Sequence, residues 1–468
     1  MFVKNDQIHF IGIGGSGMSG LARIMLAKGF KVSGSDLSQS YVTERLIEEG
    51  AQIFYGHEAS NVLSADKIIY STAINTDNPE VVKGRELGLP FFHRAELLGW
   101  LMGQQKGIAI AGAHGKTTTS SMLSLLFEEL NLDPTVVVGG TLYHLRGNAK
   151  LGQGEYLVAE ADESDGSFLK LSPNIVLVTN IEDDHLDHYG SVEKIIDSFR
   201  QFVAKVPEDG FAVLCLDDVT VAQIAKEAPC QVVSYGFNQD ADYYLANEEL
   251  NGLTSKAQVY HKGAYLGELY LQVPGKHNLV NALGNLAIAM ELGLPFSEVT
   301  AGLAKYTGVT RRFQFLGEGQ DIKVFDDYAH HPTEVKATLE AAQSSGLGRV
   351  VAIFQPHRFT RTKQLYKEFS ESFDSADVLV LTEVYSAGEP EIPGVSSKLI
   401  YNSIENQACK QVLYGRSLDE VFDLLKKELK PGDTVLTMGA GNVWTLGTRL
   451  VEELQKGEVI NGAMAESS

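Results

Sequence analysis

Along the first hundred residues, short apolar runs alternate with stretches of helical period: IHFIGI, GLARIMLAKG, KVSGSD, TERLIEEG and KIIYSTAI follow one another. Strand-length apolar runs separated by amphipathic helices predict βα units and a parallel sheet. RAELLGWLMG at 94–103 reads as a helix, and a new strand-loop-helix opens at 107–130, so a boundary is placed near 104. Buried-type strands are predicted at 155–162, 174–181 and 211–216, each ending in polar residues. Between about 231 and 273 the runs shorten and alternate, as in KAQVYH and YLGELYLQV. That pattern predicts antiparallel hairpins added to the main sheet. A helix at 277–293 closes this region, KYTGVTRRFQ marks a crossing near 309, and strand and helix patterns alternate again from VFDDY to TVLTMGAG. The expectation is three successive α/β domains spanning 1–104, 105–308 and 309–468, with the last ten residues frayed.

Composition narrows the possibilities. The 468 residues carry 39 Lys+Arg against 60 Asp+Glu, a formal net charge of −21, with 44% hydrophobic residues. Such a chain can build full cores, and its charge disfavours nonspecific attraction to nucleic acid or anionic membranes. Any phosphate must be held by local loops. The three cysteines, Cys215, Cys230 and Cys409, have no paired metal spacing, so neither a disulfide framework nor a cysteine metal site is expected. Glycines interrupt the apolar start, and no run approaches about 18 apolar residues. A cytoplasmic protein without membrane insertion or nucleic-acid partner is expected, as monomer or homodimer.

Two glycine-rich loops carry candidate chemistry. Gly12-x-Gly14-x-x-Gly17 follows a predicted strand and opens a helix, and Asp36 ends the next strand 19 residues after Gly17. Glycines allow close backbone approach, the helix N-terminus offers N–H groups to a phosphate, and the acid can accept ribose hydroxyls. A turn that merely packs helix on sheet is the bland alternative. The second loop is Gly112-Ala-His114-Gly115-Lys116-Thr117-Thr118, again between strand and helix. Its backbone can cradle phosphates, Lys116 can reach the β/γ phosphates, and Thr117 can ligate Mg²⁺. Ile110 stands where the usual motif has its first glycine, so the loop is shorter.

Acidic and histidine clusters follow two further strands: Glu160-Ala161-Asp162-Glu163-Ser164-Asp165, and Asn180 through His188, which includes His185. Strand carboxyl ends face the ligand crevice of an open parallel sheet, so both clusters should meet the phosphate loop and could hold Mg²⁺. Zinc on His185 and His188, or a solvated acidic loop, are the alternatives. The third region adds Arg311-Arg312, Asp326 through Thr333, and His357 through Thr362. Arg358 and Arg361 form a plausible anion clamp, and Thr333 reads as a helix cap.

Taken together, GIGGSGMSGLA, GAHGKTTT, EADESD, TNIEDDHLD, HNLVNAL, TRRF, DDYAHHPTEV, HRFTRT and MGAGN, in this order, resemble the Mur ligase family over essentially the whole chain. The resemblance implies a Rossmann-like first domain for a UDP-sugar, a P-loop-type central ATPase domain, and a Rossmann-like third domain that delivers an amino acid. It places Gly14, Gly15, Ser16 and Gly17 at the diphosphate, with Asp36, His57 and Ser71 near the uridine. It gives Lys116 the ATP phosphates, within a loop that includes Gly112, His114, Gly115 and Thr118. Metal contacts fall to Thr117, Glu160 and His185. Asn278 and Asn281 go to the adenine neighbourhood, Arg312 and Asp327 to the nucleotide, and His331, Arg358 and Arg361 to substrate and amino acid.

The implied reaction is ATP-driven amide formation between L-alanine and the lactyl carboxylate of UDP-N-acetylmuramate. An acyl phosphate is the intermediate, about two Mg²⁺ assist, and His331 is the candidate base. No lysine of this chain is matched to the relatives' carbamylated lysine. A ligase that reattaches a recycled peptide to the same UDP-sugar is the near rival. A nicotinamide-dependent dehydrogenase would leave the GKT loop unused, and a nucleotide switch would leave the third domain's arginines and histidines without a role.

Overall fold

A computed structural model of the chain describes residues 2–142, 145, 147–183, 186–404 and 411–457. The expected α/β class is borne out, as three sheets in chain order. The first contains β1 (Gln7–Ile11), β2 (Lys31–Asp36), β3 (Gln52–Tyr55), β4 (Lys67–Tyr70) and β5 (Phe91–His93). They pair in parallel in the order β3-β2-β1-β4-β5. The chain winds away from β1 on both sides, so a crevice opens at the strands' carboxyl ends.

The second sheet has ten strands: β6 (Lys106–Ala111), β7 (Thr135–Leu142), β8 (Gly147–Lys150), β9 (Tyr156–Glu160), β10 (Ile175–Val178), β11 (Phe211–Cys215), β12 (Gln231–Gly236), β13 (Tyr243–Asn251), β14 (Thr254–His261) and β15 (Ala264–Leu271). Their order is β15-β14-β13-β12-β11-β10-β6-β9-β7-β8. The alternating runs do form added hairpins, and Lys262 and Gly263, both at positive φ, make the two-residue turn between β14 and β15. β7 and β8, an antiparallel pair at the other edge, had no place in the sequence pattern. GNAK is too short and polar to read as a strand, and Gly139-Gly140 interrupts the run before it.

The third sheet contains β16 (Gln314–Gly319), β17 (Ile322–Asp327), β18 (Arg349–Phe354), β19 (Val378–Leu381), β20 (Val412–Tyr414) and β21 (Asp433–Met438). The order is β16-β17-β21-β18-β19-β20, parallel except for the β16–β17 hairpin. One correction falls here: helix Pro332–Ser344 is capped by His331 with Pro332 in its first turn, not by Thr333. Proline's fixed φ and missing N–H suit that first position, which leaves Thr333 inside the helix.

By contacts the chain divides into two compact units. The first is Met1–Asn247, Ala257–Leu269 and Val280–Tyr306; the second is Glu248–Lys256, Tyr270–Leu279 and Thr307–Ser468. In the first unit one apolar cluster runs from Ile8 and Phe10 through Leu97 and Leu101 to Ala109, Leu157 and Phe168, and a smaller one lies around Ile11, Val62 and Ile68. In the second, separate clusters pack against the third sheet, one around Ile353, Phe422 and Leu450, the other around Phe354, Leu339 and Phe369. Among the described residues no helix is long and apolar enough to cross a membrane.

Candidate active site

In the first unit, β1 runs into a loop whose Gly12 has φ +76°, a conformation that strains any side chain. Gly15 caps helix Ser16–Ala27. The loop is clamped from β2: Asp36 Oδ2 accepts from Gly14 N at 2.8 Å, and Oδ1 accepts from Leu37 N at 2.8 Å. A Cβ on Gly14 would sit 2.8 Å from Asp36 Oδ2. Asp36 thus shapes the loop, and its remaining lone pairs are what it can offer a ribose. His57 follows β3, with Nδ1 at 3.1 Å from Ser35 Oγ. Ser71 follows β4, beside Thr72, which donates to Asp165 Oδ2 at 3.2 Å.

The loop also has a neighbour that the sequence did not single out. Arg94 begins helix Arg94–Met102, and a Cβ on Gly17 would lie 3.2 Å from its Nη1. Its Nη2 reaches Asp162 Oδ2 at 2.5 Å. Burial pushes the Asp162 carboxyl up, but the Arg94 guanidinium and hydrogen bonds from Ser164 outweigh it and hold it below the usual range. Arg94 therefore ties the first glycine loop to the acidic segment of the second sheet.

The second loop leaves β6 with Gly112 at φ +139° and Gly115 at +84°, and helix Lys116–Glu129 starts at the next residue. A Cβ on Gly112 would collide with Thr179 Oγ1. The end of β10 braces the loop: Asn180 O and Oδ1 accept from Ala113 N and His114 N, while Thr179 Oγ1 donates to His114 O at 2.6 Å. The His114 ring stands 3.3 Å from Glu182. Thr118 is buried within the helix. A Cβ on Gly115 would lie 2.8 Å from Asn281 Oδ1, so Asn281 adjoins the loop. Asn278 donates to Pro274 O at 2.7 Å.

Lys116 Nζ donates to Gly112 O at 2.5 Å, Ala113 O at 3.0 Å and Glu163 Oε1 at 2.6 Å. Burial would lower its pKa, but the carboxylates of Glu163, Glu160 and Asp162 raise it, so the ammonium stays charged. Burial pushes the Glu163 carboxyl up to about 7 against the pull of Lys116. Thr117 Oγ1 lies 3.1 Å from both oxygens of Glu160, whose Oε2 also accepts from Gly139 N at 2.8 Å. Lys116, Thr117 and Glu160 are thus brought together as expected. His185 lies outside the described residues. Glu163 was visible only as one of several acids, because its pairing with Lys116 depends on β6 and β9 being neighbours.

In the second unit, Asp327 ends β17 and accepts from Phe313 N and Ala329 N, each at 2.7 Å. Burial pushes its carboxyl up to about 6, with Arg312 pulling the other way. Arg312 Nη1 is 3.5 Å from Glu334 Oε1, and its guanidinium lies over the Tyr328 ring. His331 is buried at the cap of helix Pro332–Ser344. Arg358, at φ +71°, caps helix Phe359–Ser370 with Nη1 3.9 Å from Glu389, and Arg361 Nη1 lies 3.5 Å from His357 Nδ1. His357 stacks on Tyr385 with 9° between the rings, and burial helped by His330 and the arginines pushes its pKa down to about 3. His330 is likewise pushed down to about 4 by burial, so two neutral histidines stand beside the arginines.

Comparison with known proteins divides the chain into three successive parts. Residues 7–106 match the Mur ligase family catalytic domain, 110–289 the Mur ligase middle domain, and 311–441 the Mur ligase glutamate ligase domain. The chain is 52% identical to the UDP-N-acetylmuramate–L-alanine ligase of Desulforamulus reducens, over 97% of this chain and 99% of that protein. It is also 52% identical to the enzyme of the same name from Pelotomaculum thermopropionicum, over 98% and 99%. Among solved structures, the UDP-N-acetylmuramate-alanine ligase of Thermotoga maritima matches with TM-score 0.83 and 31% identity, over 97% of this chain and 100% of that one. A murein peptide ligase from Psychrobacter arcticus shares the fold at TM-score 0.70 and 24% identity. The chain belongs to the Mur ligase family.

Proposed function

We propose that this chain is an ATP-dependent ligase that joins L-alanine to the lactyl carboxylate of UDP-N-acetylmuramate in peptidoglycan precursor synthesis. It would act in the cytoplasm, with domains at 1–104, 105–308 and 309–468. The observation that carries the ATP reading is the second loop. Its two positive-φ glycines, its partly buried Lys116 and the adjoining Thr117–Glu160 pair suit a nucleoside triphosphate. Thr117 and Glu160 supply oxygen donors only, which fits Mg²⁺ better than zinc, and His185 is assigned the second metal. Bound Mg²⁺ would neutralise charge on the phosphates.

The lactyl carboxylate attacks the γ-phosphorus, forming an acyl phosphate and releasing ADP. The neutral amine of alanine then attacks the acyl carbon, and inorganic phosphate leaves. Lys116 stabilises the charge that gathers on the transferring phosphoryl group. Gly112, His114, Gly115 and Thr118 shape its cradle, and Asn278, Asn281, Arg312 and Asp327 are assigned the nucleotide. Gly14, Gly15, Ser16 and Gly17 take the diphosphate of the UDP-sugar, with Asp36, His57 and Ser71 on its uridine side. His331, Arg358 and Arg361 are assigned substrate and alanine, with His331 as candidate base.

Full-length identity to proteins named as alanine ligases favours alanine over a recycled peptide as the second substrate. An ADP-release assay with L-alanine beside a tripeptide tests this. Sustained ADP release should require ATP, Mg²⁺, the UDP-sugar and alanine together, and a faster rate with the tripeptide would overturn the choice.

A further inference from the structure

Beneath the carboxyl edge of the first sheet lies a buried polar network. Glu80, in the first turn of helix Pro79–Glu86, is fully buried. Its Oε1 accepts from Asn61 Nδ2 at 2.6 Å. Its Oε2 accepts from Ser35 Oγ at 2.7 Å and lies 3.3 Å from His9 Nε2. The other nitrogen of His9 is 3.0 Å from Ser33 Oγ. Burial would raise the Glu80 carboxyl, but hydrogen bonds from His9, Ser35 and Asn61 outweigh it and hold it below the usual range. Glu80 is therefore an ionised acceptor with no proton to return.

That fixes the next hydrogen. Ser35 has one hydroxyl proton and gives it to Glu80, so toward His57 Nδ1, 3.1 Å away, the Ser35 oxygen can only accept. Glu80 Oε1, at 3.6 Å, adds a negative neighbour on the same side of the ring. Nδ1 of His57 must carry the proton, and in the neutral ring Nε2 is then an acceptor.

Position supplies the ligand. Along the carboxyl edge, the glycine loop follows β1, Asp36 ends β2, and His57 follows β3, where Gly56 N donates to Asp36 O. A nucleoside diphosphate laid over this edge sets its phosphates at the loop, its ribose at Asp36 and its base one strand further on. Uracil, glycosylated at N1, has a single hydrogen-bond donor, the N3–H.

We propose that Glu80 and Ser35 are positioning residues that hold His57 as its Nδ1–H tautomer, so that His57 Nε2 accepts the N3–H of the uracil base. This rests on the UDP-sugar reading above, and the tests separate the two. Nitrogen-15 NMR of the full-length enzyme should show His57 protonated on Nδ1 and bare on Nε2, with mixed tautomers in Ser35→Ala and Glu80→Gln. A ring protonated mainly on Nε2 would overturn the proposal whatever the substrate. In calorimetric titrations, 3-methyl-UDP should bind about 10-fold more weakly than UDP, the scale of one lost hydrogen bond to a partly buried group. His57→Phe keeps the ring and removes the acceptor, so it should erase that preference. Equal binding of the two nucleotides by the unaltered enzyme, or a preference that survives in His57→Phe, would overturn the base contact. If UDP itself does not bind, the substrate reading falls and the base contact with it, while the tautomer stands on the NMR result alone.

Discussion

Lys116 is engaged by a carboxylate at 2.6 Å and by two carbonyls of its own loop, so a phosphate must displace interactions that already hold the ammonium in place. Such a cation is preorganised, and removing a preorganised charge from a phosphoryl-transfer site lowers turnover by about 100-fold or more. Lys116→Ala should show that loss by steady-state ADP release, with an unchanged circular dichroism spectrum. Near-normal turnover in a folded variant would remove the loop from the chemistry.

The histidines of the second unit make a different residue-scale prediction. The His357 pKa is pushed down to about 3, below the usual 6.5, so the folded chain binds fewer protons than the unfolded one between those values. Stability from neutral His357 is therefore full above about pH 6.5 and is lost as pH falls toward the folded value. The Tm advantage of the unaltered protein over His357→Gln should shrink from pH 7 to pH 4.5, and an advantage that grows on acidification would contradict the burial argument. Glycines and the lysine of the loops were legible because their roles depend on local spacing. Glu80 was not, since residues 9, 35, 61 and 80 converge only once the strand order is known.

At the scale of elements, the second loop works through its bracing as much as through its own residues. Thr179→Val removes the hydroxyl that donates to His114 O, a net loss of about 1 kcal/mol, which corresponds to about 5-fold. Because that bond belongs to the folded chain, the Tm should fall by about 2–4 °C, and the KM for ATP should rise by no more than that factor. Gly112→Ala should be far worse, because φ +139° and the Thr179 hydroxyl both oppose a Cβ. Strands such as KVSGSD over Lys31–Asp36 could be read from sequence to the residue, because both faces are buried and the flanks are polar. β5, β8 and β20, three or four residues each, could not, because their pairing comes from neighbours rather than from their own pattern.

At the scale of the whole molecule, the first two sheets share one apolar cluster and the Arg94–Asp162 pair. Their order along the chain was legible, but not this shared packing, because it joins segments about 60 residues apart, as with Leu97 on helix Arg94–Met102 and Leu157 on β9. Amides of β1 and β6 should therefore open to hydrogen exchange in one cooperative event, and two well-separated opening free energies would contradict a common core.

The central claim, that ATP activates the substrate's carboxylate before the amine attacks, has a direct isotopic test. If the lactyl carboxylate of UDP-N-acetylmuramate is labelled with oxygen-18 and turned over with ATP and L-alanine, attack on the γ-phosphorus leaves one carboxylate oxygen on that phosphoryl group. Mass spectrometry of the released inorganic phosphate should find one oxygen-18 per amide bond formed. Unlabelled phosphate alongside the amide product would contradict the acyl-phosphate account.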